Sequence, residues 1–372
     1  MTKKTVLVIG GGATGHKIAY QLLKAAHVVL VDPKTYWEVP MAVPRLLVEP
    51  DGLRARMRYD SFLGEATLIH GKVVALWEGG ARALLNNGSE QTLTFDYAVI
   101  ATGSSYFDPL FKAQAPTEAE RSVEINAMNE RLRKAASVVV AGGGPVGIET
   151  AAELRETFPL LAVTVVHGAP GLLENAPRKF AGWAENTLRS RNVNFVLDDL
   201  VTDPAPGFQP RDGKVRTTGG RTIDADVVIW AGGTKPMTGF VSASWPEAVE
   251  ANGLLKVDSF LRLAGRPYVF VAGDVTNLPE ARLAIIGGLH VKSIVSNLSM
   301  LLASATPDSV KLKPYKPAIP GKGMGKMMVL TLGRGDGLTS LPFGQFRASF
   351  IARKFKSRDM LVGMYRKALG LA

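Results

Sequence analysis

Thr5-Val-Leu-Val-Ile-Gly10-Gly-Gly12-Ala13-Thr-Gly15 decides the fold. A β-branched apolar run breaks into Gly-x-Gly-x-x-Gly and passes into a helix-like stretch from His16 to Ala26. A second apolar strand, Val28 to Val31, then ends on Asp32. This order predicts a βαβ unit whose first turn receives a pyrophosphate. Gly10 permits the tight turn, Gly12 lets the backbone approach phosphate oxygens, and Gly15 lets helix and strand pack closely. The helix N-terminus offers unpaired N–H groups and partial positive charge to the anion. Asp32 stands where a carboxylate accepts from ribose hydroxyls.

The pattern returns 132 residues later as Ala136-Ser-Val-Val-Val-Ala141-Gly142-Gly-Gly144-Pro-Val-Gly147, again followed by a helical stretch and a strand, Ala162 to Val166. That strand ends on His167, which is neither the acid that favours a free 2′-hydroxyl nor the Arg that favours a 2′-phosphate. His167 reads equally as a solvated strand end. Each unit also closes on an apolar strand with a small-residue turn, Ala101-Thr102-Gly103 in the first and Ala231-Gly232-Gly233 in the second. The halves therefore repeat a whole domain. Pro33 to Pro50, with Arg45 inside it, reads as an irregular loop. The runs between Thr67 and Phe95, with the turn Asn86-Asn-Gly88, read as an antiparallel meander. Further on, the apolar strand Tyr268 to Ala272 ends in Gly273-Asp274, before a helical run from Ala281 to Leu302. Asp274 reads as a ribose or ribitol ligand, or as a helix cap.

With 372 residues, 46% hydrophobic and 21% charged, the composition is that of an ordinary globular chain. The absence of cysteine excludes disulfides, thiolate nucleophiles and Cys-ligated metals, and no metal site is expected. No apolar run reaches the roughly 18 residues of a membrane span. The start Met-Thr-Lys-Lys leads directly into the first strand, so a cytoplasmic protein is expected. The net charge of +11 is concentrated at one end: residues 311–372 hold 13 Lys/Arg against two acids, 13 − 2 = +11. Within 344–372, Phe346, Phe350, Leu361, Met364 and Tyr365 alternate with Arg347, Arg353, Lys354, Lys356, Arg358, Arg366 and Lys367. Two readings stand: a peripheral contact with anionic membrane, or a helix packing its apolar face on the body. No specific nucleic-acid partner is expected.

Two glycine motifs, Ala101-Thr102-Gly103 and Gly273-Asp274 together resemble the two-dinucleotide-binding-domain flavoproteins of the pyridine nucleotide-disulfide oxidoreductase superfamily. That group includes glutathione-reductase-like enzymes, type II NADH dehydrogenases and apoptosis-inducing-factor proteins. The last are approached most nearly, through Asp32 with Arg45, Gly71-Lys-Val73-Val, Gly147-Ile-Glu149, Gly288-Leu-His290, Gly333-Arg-Gly-Asp336-Gly and Lys356-Ser-Arg-Asp359. The resemblance implies an α/β fold class with two Rossmann-like domains. A discontinuous FAD domain (1–108 and 238–310) would carry the NAD(P)H domain (109–237) as an insert, with a small basic C-terminal domain (311–372). FAD would meet Gly10, Gly12, Ala13, Gly15, Asp32, Arg45, Val73, Ala101, Thr102, Gly103 and Asp274. NADH or NADPH would meet Gly142, Gly144, Gly147, His167 and Gly232. Glu149 near the nicotinamide and Lys356 near the flavin would be the catalytic residues. The implied activity is an NAD(P)H:quinone oxidoreductase, monomeric or homodimeric, using a ubiquinone- or menaquinone-like acceptor. A reductase of a soluble ferredoxin- or rubredoxin-type partner and a non-enzymatic NAD(P)H-sensing flavoprotein remain as alternatives. Two departures matter. Without cysteine the chain is no disulfide or sulfide reductase, and Thr2 in place of Gly excludes N-myristoylation.

Overall fold

The computed structural model describes residues 3–371 except 175, 321, 323–325, 348 and 353–355, so Arg353 and Lys354 lie outside the described residues. Two parallel sheets organise the chain. The first runs, in spatial order, Arg262–Leu263, Arg266–Val271, Tyr97–Ile100, Thr5–Ile9, His27–Val31 and Thr67–Ile69. Its edge strand Arg262–Leu263 is antiparallel to its neighbour. Val6 pairs with Val28 on one side and with Tyr97 on the other, while Val271 pairs with Ile100. The second sheet runs Val193–Leu197, Ala162–His167, Ser137–Ala141 and Val227–Trp230, all parallel. Unbroken Val/Ile/Leu runs suit strands covered on both faces, and Val6, Leu7 and Val8 are all fully buried.

The helices are α1 (Gly15–Leu22), α2 (Val43–Val48), α3 (Glu118–Lys134), α4 (Pro145–Thr157), α5 (Arg178–Ser190), α6 (Gly239–Ser244), α7 (Ala284–Ala303), α8 (Ser349–Ala352) and α9 (Val362–Ala368). One face of the first sheet is covered by α1 and α7. The other receives an antiparallel meander of Gly71–Trp77, Gly80–Leu85 and Glu90–Thr94. The long crossover helix α3 starts on a capping box, with Thr117 and Glu120 satisfying each other's backbone N–H groups.

Four expectations change. Thr67–Ile69 leaves the meander and joins the parallel sheet beside His27–Val31. Pro33–Pro50 is not a loop: it holds the strand Tyr36–Glu38, a turn of 3-10 helix at Pro40–Ala42, and α2. Pro40 and Pro44 fall in first helical turns, where the missing N–H has no partner to lose. Helix α7 is long and apolar enough to cross a membrane, contrary to the reading of the apolar runs. Yet Ile286, Val291, Ile294, Leu298 and Leu301 are buried, and the last four join the first domain's core residues, so it serves as a core helix. Finally, the basic tail is no single helix. Residues 344–372 open on the strand Gly344–Phe346, antiparallel to Gly337–Leu341, which pairs in turn with the strand Met328–Thr331, and continue through α8 and α9. Val362, Tyr365 and Leu369, in and just after α9, face inward, and the Tyr365 ring meets Trp37 edge-on at 4.9 Å. Val362, Tyr365 and Leu369 are thus packed on the body, whereas Met364 is exposed.

Candidate functional site at the junction of two glycine turns

The two glycine turns have nearly the same backbone. Gly10 N donates to Val31 O and Gly142 N to Val166 O, both at 2.8 Å. Gly10 and Gly142 take φ of +95° and +129°, a region that glycine alone enters freely. A Cβ on Gly15 would sit 1.8 Å from the Gly10 carbonyl oxygen, and one on Gly147 would sit 1.9 Å from that of Gly142. Only glycine fits either helix start.

A cradle for phosphate follows from what surrounds these turns. Neither α1 nor α4 has a side-chain N-cap among the described residues, so no capping side chain competes with an anion at these helix starts. A Cβ on Gly144 would meet nothing within 4 Å, and one on Gly12 only the Ala101 carbonyl oxygen at 4.0 Å. Ala13 is half-buried beside Gly12. The residues present fit a dinucleotide at both turns.

Asp32 is buried at the end of its strand. Its Oδ2 accepts from Gly11 N at 2.7 Å, and its Oδ1 accepts from Lys34 N and Nζ, both at 2.9 Å. Tyr59 closes this side by donating to Gly11 O at 3.0 Å, and burial together with the charge of Asp32 pushes its phenol well up. His167, the counterpart of Asp32, lies against the second turn, 2.8 Å from where a Cβ on Gly143 would be. Its Nε2 is buried without a hydrogen-bond partner among the described residues. Gly232 sits beside the same turn, and Val73 is buried among Ile9, Val31 and Ile69.

Beyond Ala101, Thr102 Oγ1 donates to Met237 O at 2.7 Å, and Gly103 turns the chain with φ +65°. Ser104 and Ser105 then pair antiparallel with Pro236 and Lys235. The exits from strands Tyr97–Ile100 and Val227–Trp230 therefore meet in one ribbon, which brings the carboxyl ends of both sheets to a common junction. Asp274 lies here, accepting from Lys112 Nζ and Ser104 Oγ, both at 2.8 Å. Burial alone would raise its carboxyl, but the Lys112 charge and these hydrogen bonds hold it below its ordinary value. Lys112 belongs to the site although no motif pointed to it.

The C-terminal segment docks on α4. Glu149 Oε1 accepts from Lys356 Nζ at 2.5 Å, Thr331 N at 2.8 Å and Thr331 Oγ1 at 3.0 Å. Lys356 also donates to Val329 O at 3.1 Å, and both charged side chains are buried. The two residues expected to be catalytic are thus in direct contact across 207 positions of sequence. One and two turns further along the same face stand Glu153 and Glu156. Glu153 forms a buried ion pair with Arg45, whose Nη2 also donates to Ser357 O at 3.2 Å. Burial raises the Glu153 carboxyl more than Arg45 lowers it. Glu156 accepts from Arg334 N at 2.9 Å. The resemblance assigned Arg45 to the flavin cofactor; in the structure its guanidinium bridges α2, α4 and the C-terminal domain. The helical spacing of the three glutamates was visible in the sequence, but their partners were not. Among the described residues no cluster of acids and histidines could hold a metal.

Residues 4–288 match the family model described as pyridine nucleotide-disulphide oxidoreductase. The chain is similar to apoptosis-inducing factor homolog B of Dictyostelium discoideum, with 29% identity covering 98% of this chain and 96% of the relative. It is also similar to ferroptosis suppressor protein 1 of Taeniopygia guttata, at 29% identity over 98% of this chain and 95% of that one. Among solved structures, NDH2 from Plasmodium falciparum shares the fold with a TM-score of 0.77 at 14% identity, covering 99% of this chain and 95% of the other.

Proposed function

The chain belongs to the pyridine nucleotide-disulphide oxidoreductase family, and from that premise we propose an FAD-dependent NAD(P)H oxidoreductase that passes electrons to a quinone. The observation that carries the reading is the junction: two anion cradles on separate sheets, with their carboxyl ends joined by one ribbon. FAD, when bound, supplies the hydride acceptor and electron store. The first turn, Gly10 to Gly15, would hold its pyrophosphate, Asp32 a ribose and Asp274 the ribitol. The second turn, with Gly142, Gly144, Gly147 and Gly232, would hold NADH or NADPH, with His167 at the adenosine ribose.

This chain's own groups then orient and polarise. Lys112 keeps the Asp274 carboxylate ionised and fixed, so that it accepts hydrogen bonds. Glu149 holds Lys356 Nζ away from bulk water, where its positive charge acts with little screening on negative charge arising at the junction. No thiol relay exists, so electrons leave directly for the acceptor, and a quinone takes both. We place the protein in the cytoplasm with peripheral membrane contact through residues 344–372. Since Val362, Tyr365 and Leu369 face inward, that contact would use outward groups such as Arg358, Met364 and Lys367.

The test is anaerobic titration of the purified protein. A bound flavin that NADH or NADPH bleaches, and that a water-soluble quinone restores within turnover time, is the expected result. Protein without flavin overturns the reading. Reduced flavin that quinone leaves untouched, while a ferredoxin-type protein reoxidises it, moves the acceptor to the iron–sulfur class.

A further inference from the structure

After α7 the chain turns back as a strap running from the C-terminal end of that helix toward its start. The buried Asn297 side chain clamps it, accepting from Lys313 N at 2.9 Å and donating to Lys313 O at 3.0 Å. Tyr315 N donates to Ser259 O at 2.7 Å. The strap then meets a buried carboxylate. Glu280 Oε1 accepts from Tyr315 Oη at 2.7 Å and from Ala318 N at 2.5 Å. The other oxygen, Oε2, accepts from His290 Nε2 at 2.8 Å. Burial works to raise Glu280, but its donors outweigh that and hold it low and ionised.

His290 carries this contact into the cofactor junction. Gly273 N donates to His290 Nδ1 at 3.0 Å. Because Nδ1 accepts from an N–H, it must be bare, so the ring proton sits on Nε2 and requires an acceptor. Glu280 is that acceptor. Gly273 itself has φ +79°, and a Cβ there would come within 3.3 Å of Thr14 Oγ1, in the first glycine turn. The next residue is Asp274. A single chain of hydrogen bonds thus links the strap, through Glu280 and His290, to the turn that carries Asp274.

We propose that Glu280 and His290 are positioning residues for FAD, and that docking of the strap 311–318 is a condition for tight FAD binding. This rests on reading the first fold as the FAD site. Losing a strap donor frees the Glu280 carboxylate to shift from its place against His290 Nε2, and the ring then ceases to fix Gly273 and Asp274. Glu280→Gln acts more harshly. Its amide can present N–H groups to Nε2–H, and the tautomer that relieves the conflict points Nδ1–H at the Gly273 N–H.

The test measures FAD dissociation constants on deflavinated and reconstituted protein. Tyr315→Phe, which removes a donor without changing the ring, should weaken FAD binding about tenfold, or about 1.4 kcal/mol. His290→Asn places a carbonyl oxygen near the position of Nδ1 and needs no help from Glu280. In that background Tyr315→Phe should change FAD affinity less than twofold. Equal effects of Tyr315→Phe in both backgrounds overturn the proposal, as does unaltered FAD binding in the single variant. Hydrogen exchange at the Gly273 amide in Tyr315→Phe alone gives a second reading that does not need the His290 variant to fold. It should accelerate, and unchanged exchange overturns the proposal. Unmutated protein that binds no FAD overturns the functional reading itself; binding with no coupling removes only this inference.

Discussion

The two glycine turns are nearly superposable in backbone logic and differ in the residue that ends the neighbouring strand. Around the first, Asp32 grips Gly11, Tyr59 closes over Gly11 O, and the Gly273 turn and Gly287 press on Thr14. At the corresponding place in the second, Gly143 O accepts from Leu173 N at 3.0 Å, but His167, which stands where Asp32 does, has no partner for its buried Nε2 among the described residues. One motif supplies a seat for an anion. The proposed function assigns a resident cofactor to the first turn and an exchanging one to the second.

Substitution at the paired glycines tests this contrast with the largest effect. Gly15→Ala and Gly147→Ala each force a carbon to within 2 Å of a carbonyl oxygen, a collision in the class that costs more than about 4 kcal/mol unless the backbone moves. Gly15→Ala should give protein without flavin absorbance. Gly147→Ala should stay yellow yet resist reduction by NADH and NADPH in anaerobic titration. If both variants are colourless, the two seats are not separable.

The residues after these glycines, His16 and Ile148, set up the next contrast. His16 is fully buried, donates from Nδ1 to Gly12 O at 2.7 Å and stacks on Trp37 at 4.1 Å. Desolvation lowers its pKa to about 3. The folded state therefore keeps the ring neutral, while the unfolded chain takes up a proton below about pH 6.5. Stability contributed by the neutral ring is complete above that pH and drains away down to about pH 3, a total of up to about 5 kcal/mol. His16→Phe should flatten the acid limb of a denaturation profile. A parallel profile for the variant would remove His16 as the cause.

A smaller effect is expected where α4 has a contact that α1 lacks. Lys356→Met leaves the Glu149 carboxylate buried with only Thr331, which should cost roughly 3 kcal/mol in chemical denaturation. Turnover with quinone should fall more than bound flavin does. Unchanged turnover would reduce Lys356 to a docking residue. Smallest is His167→Asp, which supplies the second strand with the acid of the first. The ratio of KM values should shift about tenfold toward NADH, equivalent to about 1.4 kcal/mol. No shift would place the adenosine ribose elsewhere.

The sequence carried both βαβ units because strand, glycines and helix are local signals, each enforced by one backbone requirement. It also carried Glu149 and Lys356 as separate residues, through resemblance. The Pro-rich stretch 33–50 misled because proline reads as a loop-former, whereas here two prolines start helical turns and Tyr36, Trp37 and Leu47 are buried. Lys112, Glu280, the partner of Glu153 and the turn of Arg45 toward the insert could not be read at all. Each is defined by a partner more than a hundred residues away or by a neighbour in a returning strap, and no periodicity records such a pairing.

The pairing of Val271 with Ile100 has a consequence for biosynthesis. The insert's sheet needs only residues 137–230, whereas the first sheet stays incomplete until Arg266–Val271 has emerged. On the ribosome, the segment translated first must wait beside a finished neighbour for a strand made after it. The first glycine turn is synthesised before the insert, and its seat is closed only after it.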